Sequence, residues 1–298
     1  MIALSIKKDS LNYLSVYKKS NQLNSEAYGT IKFGKNEFDD LLIEKVKKIK
    51  GIRKSKFPSK KCMIFLESNE VVLNKFKCPG EMSSEEYLEW SNQLIFEDGD
   101  LNDYSDYHYE LSEKNFLSIY IEKQKQSKYY TSCSDSDLKL KSLSLGILSA
   151  DYLAREGFEA KGEKSYMVWG IGKAYDEVLI SQNGEIECIL NISRTSNNIS
   201  LLNFIGSKKI AEDTVSLLRE KFNKDLKDFD IVDKIYMYQK SSGLDMKKIC
   251  NKHNKSSILI LNPLLKMGNI KHNKINLIES SYLSEMGYVF KALESNGS

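Results

Sequence analysis

The sequence predicts a two-lobed α/β protein whose two halves are internally similar. Each half opens with three short runs of strand character, and each of these meanders is followed by a helical pattern and further strands. The first meander covers residues 2–33, and the second runs through Tyr166–Ile171, Tyr175–Ser181 and Glu185–Ser193. A chain of 298 residues is long enough for two domains, each with its own core. A strand order that repeats at this length indicates an internal duplication.

Composition and charge exclude several classes of protein. Lysine and arginine total 44, aspartate and glutamate total 41, and 41% of the residues are hydrophobic. These values exclude a disordered tail and a polybasic nucleic-acid arm. No window approaches the run of about 18 apolar residues that a membrane span requires, and charge appears too early in residues 1–8 for a secretory signal. Five scattered cysteines are typical of reduced thiols in a cytoplasmic protein.

The first lobe is predicted to cover residues 1–160, with a small α+β insertion at about 99–145. After the meander we expect a helix ending near Ile49 and capped by Asn36, then strands at 63–66 and 71–76. Ser83 and Glu86 form a capping box for a helix that carries Tyr87, Trp90 and Leu94 on one face. The insertion should hold a hairpin of residues 107–111 and 116–121, a loop or short helix at 129–137 and a strand at 138–145, and a helix at 147–155 should follow it.

The second lobe is predicted to cover residues 161–298. Its meander contains Asn183-Gly184, a strong signal for a two-residue hairpin turn. Beyond the meander we expect a helix at 207–223, a strand at 231–238, a helix at 243–252, a strand at 258–261 and a helix at 282–293.

Local motifs predict neither a catalytic site nor a metal site. The acidic run at 98–109 has Asp103 and Tyr109 where a calcium loop needs glycine and glutamate. Gly170-Ile171-Gly172-Lys173 lacks both the earlier glycine and the later hydroxyl residue of a phosphate loop. The chain has no paired histidines or cysteines at zinc spacing and no nucleophile elbow.

Charge is arranged in two blocks. Residues 45–61 hold nine lysines and arginines, whereas residues 78–113 hold eleven acids and neither lysine nor arginine. The basic block is a solvated surface, a contact for anionic lipid headgroups or a contact for an acidic partner. The acidic block is either a solvated surface or a site for a basic partner. Aromatic residues are not interleaved with the lysines, so we expect no nucleic-acid partner.

The whole pattern resembles the actin/Hsp70/sugar-kinase superfamily and, within it, the type IV pilus assembly protein PilM and the cytoplasmic domain of the secretion protein GspL. The resemblance is carried by Val71–Trp90, by Ser149-Ala150-Asp151, by the hairpin through Arg194, and by Ile235–Tyr238 leading to Ser241-Ser242-Gly243. It implies a duplicated actin-like (ribonuclease H-like) two-lobed α/β fold with a small α+β insertion in the first lobe.

The resemblance also places a degenerate nucleotide cleft, in which the usual Asp-x-Gly turns are lost. Ser5 and Lys7 stand at the Asp and Gly positions of the first turn, and the second turn keeps a glycine without the acid. The matching residues are Ser5, Lys7, Lys8, Asp9, Ser10, Gly170, Gly172, Lys173, Ser241, Ser242 and Gly243. The resemblance therefore implies a pseudo-ATPase with no catalytic residue, metal or cofactor. ATP binding without hydrolysis stays open, because Lys7, Lys8 and Lys173 could hold phosphate as point charges.

By the same resemblance, we expect a non-catalytic cytoplasmic scaffold of a type IV pilus or type II secretion platform, peripheral at the inner membrane. Its partners would be the cytoplasmic tail of a PilN-like membrane protein and a motor ATPase. The acidic stretch 78–113 would receive a basic tail, and the basic stretch 45–61 would face the anionic membrane. Two alternatives are an active kinase-like phosphotransferase and a filament protein of the FtsA kind, although Glu294–Ser298 is no amphipathic membrane tail.

Overall fold

The computed structural model describes residues 1–33, 42, 45–49, 60–96, 101–195, 198–221, 232–240, 258–270, 276 and 278–294. In chain order the strands are β1 (Ile2–Ile6), β2 (Ser10–Lys19), β3 (Gln22–Lys32), β4 (Lys61–Leu66), β5 (Val72–Lys77), β6 (Tyr104–Ser112), β7 (Asn115–Glu122), β8 (Lys139–Leu145), β9 (Ser165–Ile171), β10 (Asp176–Gln182), β11 (Glu185–Arg194), β12 (Ile199–Gly206), β13 (Lys234–Gln239) and β14 (Ile258–Ile260). The helices are α1 (Ser84–Ile95), α2 (Lys123–Asp135), α3 (Gly146–Gly157), α4 (Lys208–Lys221) and α5 (Tyr288–Glu294).

Two large sheets share one strand order. The first is β3-β2-β1-β4-β8 and the second is β12-β11-β10-β9-β13-β14. In each sheet an antiparallel meander is followed by two strands that run parallel to its first strand and to each other. Without the edge strand β12, the second order repeats the first, so the predicted duplicated α/β fold is confirmed.

The small sheet differs in extent from the predicted insertion. Its order is β5-β7-β6, so its first strand comes from residues 72–77, ahead of the predicted start at 99. The β5 backbone pairs with β7 along its whole length, which draws it away from β4. At the other end β8 joins the first sheet and pairs with β4. The division of the chain at residue 160 stays a prediction.

Local turn and capping signals are confirmed. Asn183 and Gly184 have φ angles of 51° and 83°, as the two-residue turn between β10 and β11 requires. The Ser83 hydroxyl accepts a hydrogen bond from the Glu86 amide, and the Ser83 amide donates to the Glu86 carboxylate at 3.0 Å. The Asn36 cap, most of the helix that it was expected to start, and the helix expected at 243–252 lie outside the described residues.

Three elements depart from the sequence predictions. Strand β12 was not predicted, because its apolar residues do not alternate and Leu202 is left exposed at the sheet edge. Residues 129–137, expected to be a loop or short helix, contain the second half of the thirteen-residue helix α2. The terminal segment begins as a 3-10 helix at Ser281–Met286 and becomes α-helical only at Tyr288.

The terminal segment positions the site. Leu283 and Met286 are fully buried in the same core cluster as α3 and the first sheet. Packing of these apolar side chains carries Glu285 beneath the β1–β2 turn, where the Ser5 hydroxyl meets its carboxylate. Among the described residues, no helix is both long and apolar enough to cross a bilayer.

Candidate functional site

A cavity of about 280 Å³ opens between the two large sheets. Its walls are the β1–β2 turn, the segment after β4, the β9–β10 turn and the residue after β13. These are matching positions of the duplicated halves, so both sheets present their turns to one space. The lining residues are Lys7, Lys8, Asp9, Glu67, Gly172, Lys173, Ala174, Tyr175 and Lys240.

The structure brings together part of the sequence-predicted cleft. Five predicted residues line the cavity: Lys7, Lys8, Asp9, Gly172 and Lys173. Ser5 is buried and donates to Glu285, and the hydroxyl of Ser10 donates to Asp9 at 3.0 Å. Gly170 lies within β9, where an added Cβ would come within 2.5 Å of the Tyr238 ring. Ser241, Ser242 and Gly243 lie outside the described residues.

Lys7 bridges two acids inside the protein. Its ammonium nitrogen lies 2.7 Å from a Glu67 oxygen and 2.8 Å from a Glu285 oxygen. Burial raises the pKa of Glu285 to about 7, even though Lys7 favours the charged form. Burial also disfavours the charged forms of Glu67 and Lys7. The opposite charges outweigh it, so the pKa of Glu67 falls to about 2 and the pKa of Lys7 rises above its ordinary value.

Lys240 makes a second bridge beside the first. Its ammonium nitrogen lies 3.2 Å from Glu67 and 3.4 Å from Glu177, and only 3% of its side chain is exposed. The same nitrogen sits 3.6 Å from the centre of the Tyr175 ring, a close cation–π contact. The Tyr175 hydroxyl in turn donates to Glu67 at 2.6 Å. Glu67 of the first sheet is thereby tied to the second sheet by two side chains.

Glu177 completes the connection between the sheets. It is fully buried on β10, and one oxygen accepts hydrogen bonds of 2.6 Å from both the amide and the hydroxyl of Ser68. Ser68 follows β4 and therefore belongs to the first half of the chain. Bonds to a charged acceptor are the stronger kind, so this contact holds the cleft walls together.

The β9–β10 turn is held by hydrogen bonds between its own residues and their neighbours. The Gly172 amide donates to Asp176 at 2.9 Å, and Asp176 also accepts from Trp169 Nε1 and Arg194 Nε at 3.1 and 2.9 Å. A Cβ at Gly172 would come within 2.1 Å of the Tyr175 carbonyl oxygen, so the turn requires glycine. The backbone donor that a phosphate-binding turn would offer is already used.

Sequence reasoning missed five members of the site. Tyr175 and Glu177 stand in the second meander, where the sequence pattern indicates strands and carries no motif at these two positions. Glu67 and Lys240 could have been found, because each directly follows a buried parallel strand at the equivalent position of its own sheet, where residues of a binding cleft commonly lie. Glu285 carries no such signal, since 278 residues separate it from Lys7.

The described residues do not fit a magnesium–nucleotide complex. Among them, no group of three or more histidine, cysteine or acidic side chains is arranged to hold a metal ion. Glu67, Glu177 and Glu285 each lie within ion-pair distance of a lysine ammonium, so each carboxylate already has a positive partner from the chain itself. The carboxylates that line the described cavity, Asp9 and Glu67, are both paired with lysines, so neither is left free to hold magnesium beside a phosphate.

A second surface lies on α1. Trp90 and Leu94 are 47% and 51% exposed, and the neighbouring Glu85, Glu86 and Glu89 are exposed as well. The opposite side of α1 packs on the small sheet, where Ser91 accepts from Asn74 at 2.8 Å. The predicted apolar face of α1 therefore exists, but much of it points away from the core, with acids beside it.

Comparison with solved structures settles the fold. The PilM–PilN type IV pilus biogenesis complex contains a chain that matches with a TM-score of 0.69 and 11% identity, covering 98% of each chain. The chain has the actin-like fold of PilM. This agrees with the resemblance predicted from the sequence and with the repeated sheet order.

Two further matches are weaker. The cytoplasmic domain of EpsL, an inner-membrane component of the Vibrio cholerae type II secretion system, matches with a TM-score of 0.46 and 10% identity over 80% of this chain and 81% of that one. A Bacteroides thetaiotaomicron protein of actin-like ATPase fold and unknown function matches with a TM-score of 0.43 and 11% identity over 88% and 90%. No family model and no curated protein matches the chain.

Proposed function

We propose that this actin-like chain is a non-catalytic scaffold of a type IV pilus or type II secretion platform, binding the cytoplasmic tail of a membrane partner. The observation that carries the proposal is the likeness, over nearly the whole of both chains, to the PilM chain of a PilM–PilN complex. Such a scaffold works in the cytoplasm, peripheral at the inner membrane through its partner. A motor ATPase is a further partner under this proposal, and nucleic acid is not.

The competing function is that of an ATP-dependent phosphotransferase. It would need a carboxylate free to hold magnesium, yet the acids of the described cleft are bonded to lysine or arginine side chains. Positioning and charge stabilisation supply almost all of the catalysis of phosphoryl transfer. The engaged acids therefore favour the scaffold.

The α1 surface is the docking site that we propose for the tail. Trp90 and Leu94 offer apolar contact area, and three exposed glutamates beside them favour a partner that carries lysine or arginine. Complementary charge speeds the encounter and weakens with added salt. Of the basic stretch, Lys47 and Lys48 are exposed on a helical segment, and their contact with an anionic membrane stays a prediction.

Reversing Glu85, Glu86 and Glu89 to lysine is expected to weaken tail binding at least about tenfold, because like charges then face each other. The probe is a fluorescent tail peptide that carries lysine and arginine beside apolar residues, the chemistry that this surface favours, and its binding is followed by anisotropy. The matched control reverses Glu212, Asp213 and Glu220, three exposed acids of α4 on the second sheet. This control makes the same change in net charge and should leave binding within about twofold.

An equal loss of affinity in the two variants would mean that the net charge of the protein, and not the α1 surface, determines tail binding. Unchanged affinity in the α1 variant, with its melting temperature intact, would also exclude it. The tail would then belong elsewhere. The next place to look is a cavity of about 520 Å³ between the first sheet and α2, whose lining includes Glu70, Glu122, Lys125 and Lys128.

A further inference from the structure

We propose that the cleft between the two large sheets takes no nucleotide because its two walls are held together by the chain's own side chains. In this clamp, Lys7 and Lys240 pair with Glu67 and Glu177 of the two sheets and with Glu285 of the terminal segment. This inference goes beyond the scaffold function and does not depend on it. A chain with a different partner would have the same closed cleft.

Five distant segments meet in the clamp. Lys7 lies between β1 and β2, Glu67 follows β4, Glu177 lies on β10, Lys240 follows β13 and Glu285 belongs to the terminal segment. The clamp joins the first sheet, the second sheet and the terminal segment. Lys7 contacts Glu285 of the terminal segment, and Lys240 of the second sheet contacts Glu67 of the first sheet and Glu177 of the second. Opening the cleft would separate Glu67 from Lys240 and Ser68 from Glu177.

Burial makes the clamp hard to open. The side chains of Lys7, Lys240, Glu177 and Glu285 are all less than a tenth exposed. A buried charge that loses its partner keeps its desolvation penalty without the compensating attraction. A nucleotide that entered the cleft would have to separate these buried ion pairs, and the cost of separating them would offset its binding free energy.

Charge balance also disfavours a phosphate group. The clamp contains three carboxylates and two ammonium groups. Lys8, Asp9 and Lys173 also line the cavity, which brings the described cleft to four carboxylates and four ammonium groups, with no surplus positive charge. At the mouth, the Lys173 ammonium lies 2.8 Å from Asp9, and that hydrogen bond helps to lower the pKa of Asp9 below its ordinary value. The Gly172 amide is bonded to Asp176. Each of these donors is held by an acid of the chain itself.

The test is hydrogen exchange followed by mass spectrometry. In Lys240→Met, amide exchange in residues 65–70 and 172–177 should rise at least about tenfold, because the two walls separate more often. The matched control is Lys173→Met, which removes an exposed ion pair across the same cleft and should change exchange by less than about twofold. Millimolar Mg-ATP should leave exchange of the unmodified protein unchanged.

A milder variant keeps the test decisive if Lys240→Met does not fold. Tyr175→Phe keeps the ring under Lys240 and removes the hydroxyl bond to Glu67, so exchange of the same segments should rise while the protein stays folded. The proposal is overturned if both clamp variants exchange like the control. It is equally overturned if Mg-ATP protects residues 172–177 of the unmodified protein.

Discussion

Replacing Lys7 by methionine should lower the free energy of unfolding by about 3–5 kcal/mol, the usual cost of removing one member of a buried ion pair. The methionine keeps the length of the side chain but leaves Glu67 and Glu285 facing each other without the ammonium between them. The effect should be largest above neutral pH, where Glu285 has to be charged. Urea unfolding monitored by tryptophan fluorescence measures it, since Trp169 is fully buried in the second core.

The neighbouring residue supplies the control. Lys8 is exposed, so Lys8→Met should change the free energy of unfolding by no more than about 0.5 kcal/mol. The double variant Lys7→Met/Glu285→Gln should recover much of the loss, because it removes the acid that Lys7→Met leaves without a lysine, whereas Glu67 keeps Lys240 and Tyr175. A Lys7→Met variant as stable as Lys8→Met would contradict the clamp.

Stability should fall as the pH rises from about 4.5 to about 7, the interval between the ordinary pKa of Glu285 and its raised value in the folded protein. Across this interval the folded state binds a proton that the unfolded state has released, so each step up in pH favours unfolding. The slope from one such proton is at most about 1.4 kcal/mol per pH unit. The charged groups that face Glu285 determine how much of this slope is observed, and they are Lys7, Lys240, Glu67 and Glu177.

Glu67 acts in the opposite sense and in a lower window. Its pKa is lowered to about 2, so its contribution is present above about pH 4.5 and is lost as the pH falls toward 2. Free energies of unfolding measured across both windows separate the two acids. Glu285→Gln should abolish the decline between 4.5 and 7 and leave the acid limb in place. If the free energy of unfolding of Glu285→Gln still declines between pH 4.5 and 7, another titrating group causes the decline.

The fold could be predicted because its signals are local. Asn183-Gly184 fixes a hairpin by its own backbone angles, and Ser83 with Glu86 fixes a helix start. The repeated meanders then indicate two similar sheets, and this inference does not require knowing which other strands pair with them. The edge strand β12 was not predicted because an edge position tolerates an exposed apolar residue such as Leu202, which weakens the alternation of buried apolar and exposed polar residues.

The site was harder to predict because its bonds join residues far apart in the chain. The lysine at position 7 is visible as a departure from the Asp-x-Gly turn, and on its own it suggests a phosphate ligand. Only the fold shows that this ammonium lies against Glu67 and Glu285, residues 60 and 278 positions away. Position 240 is similar, since a lysine after a strand usually points into solvent and here it is buried over Tyr175.

We propose that this chain binds the tail of a membrane partner without using nucleotide. The most direct measurement is an anisotropy titration of the labelled tail peptide with and without Mg-ATP, with released phosphate assayed in the same samples. We expect one affinity in both series and no phosphate above the background of protein-free samples. An affinity that requires Mg-ATP, or steady phosphate release that is lost on replacing Asp9, would contradict the claim and favour the phosphotransferase.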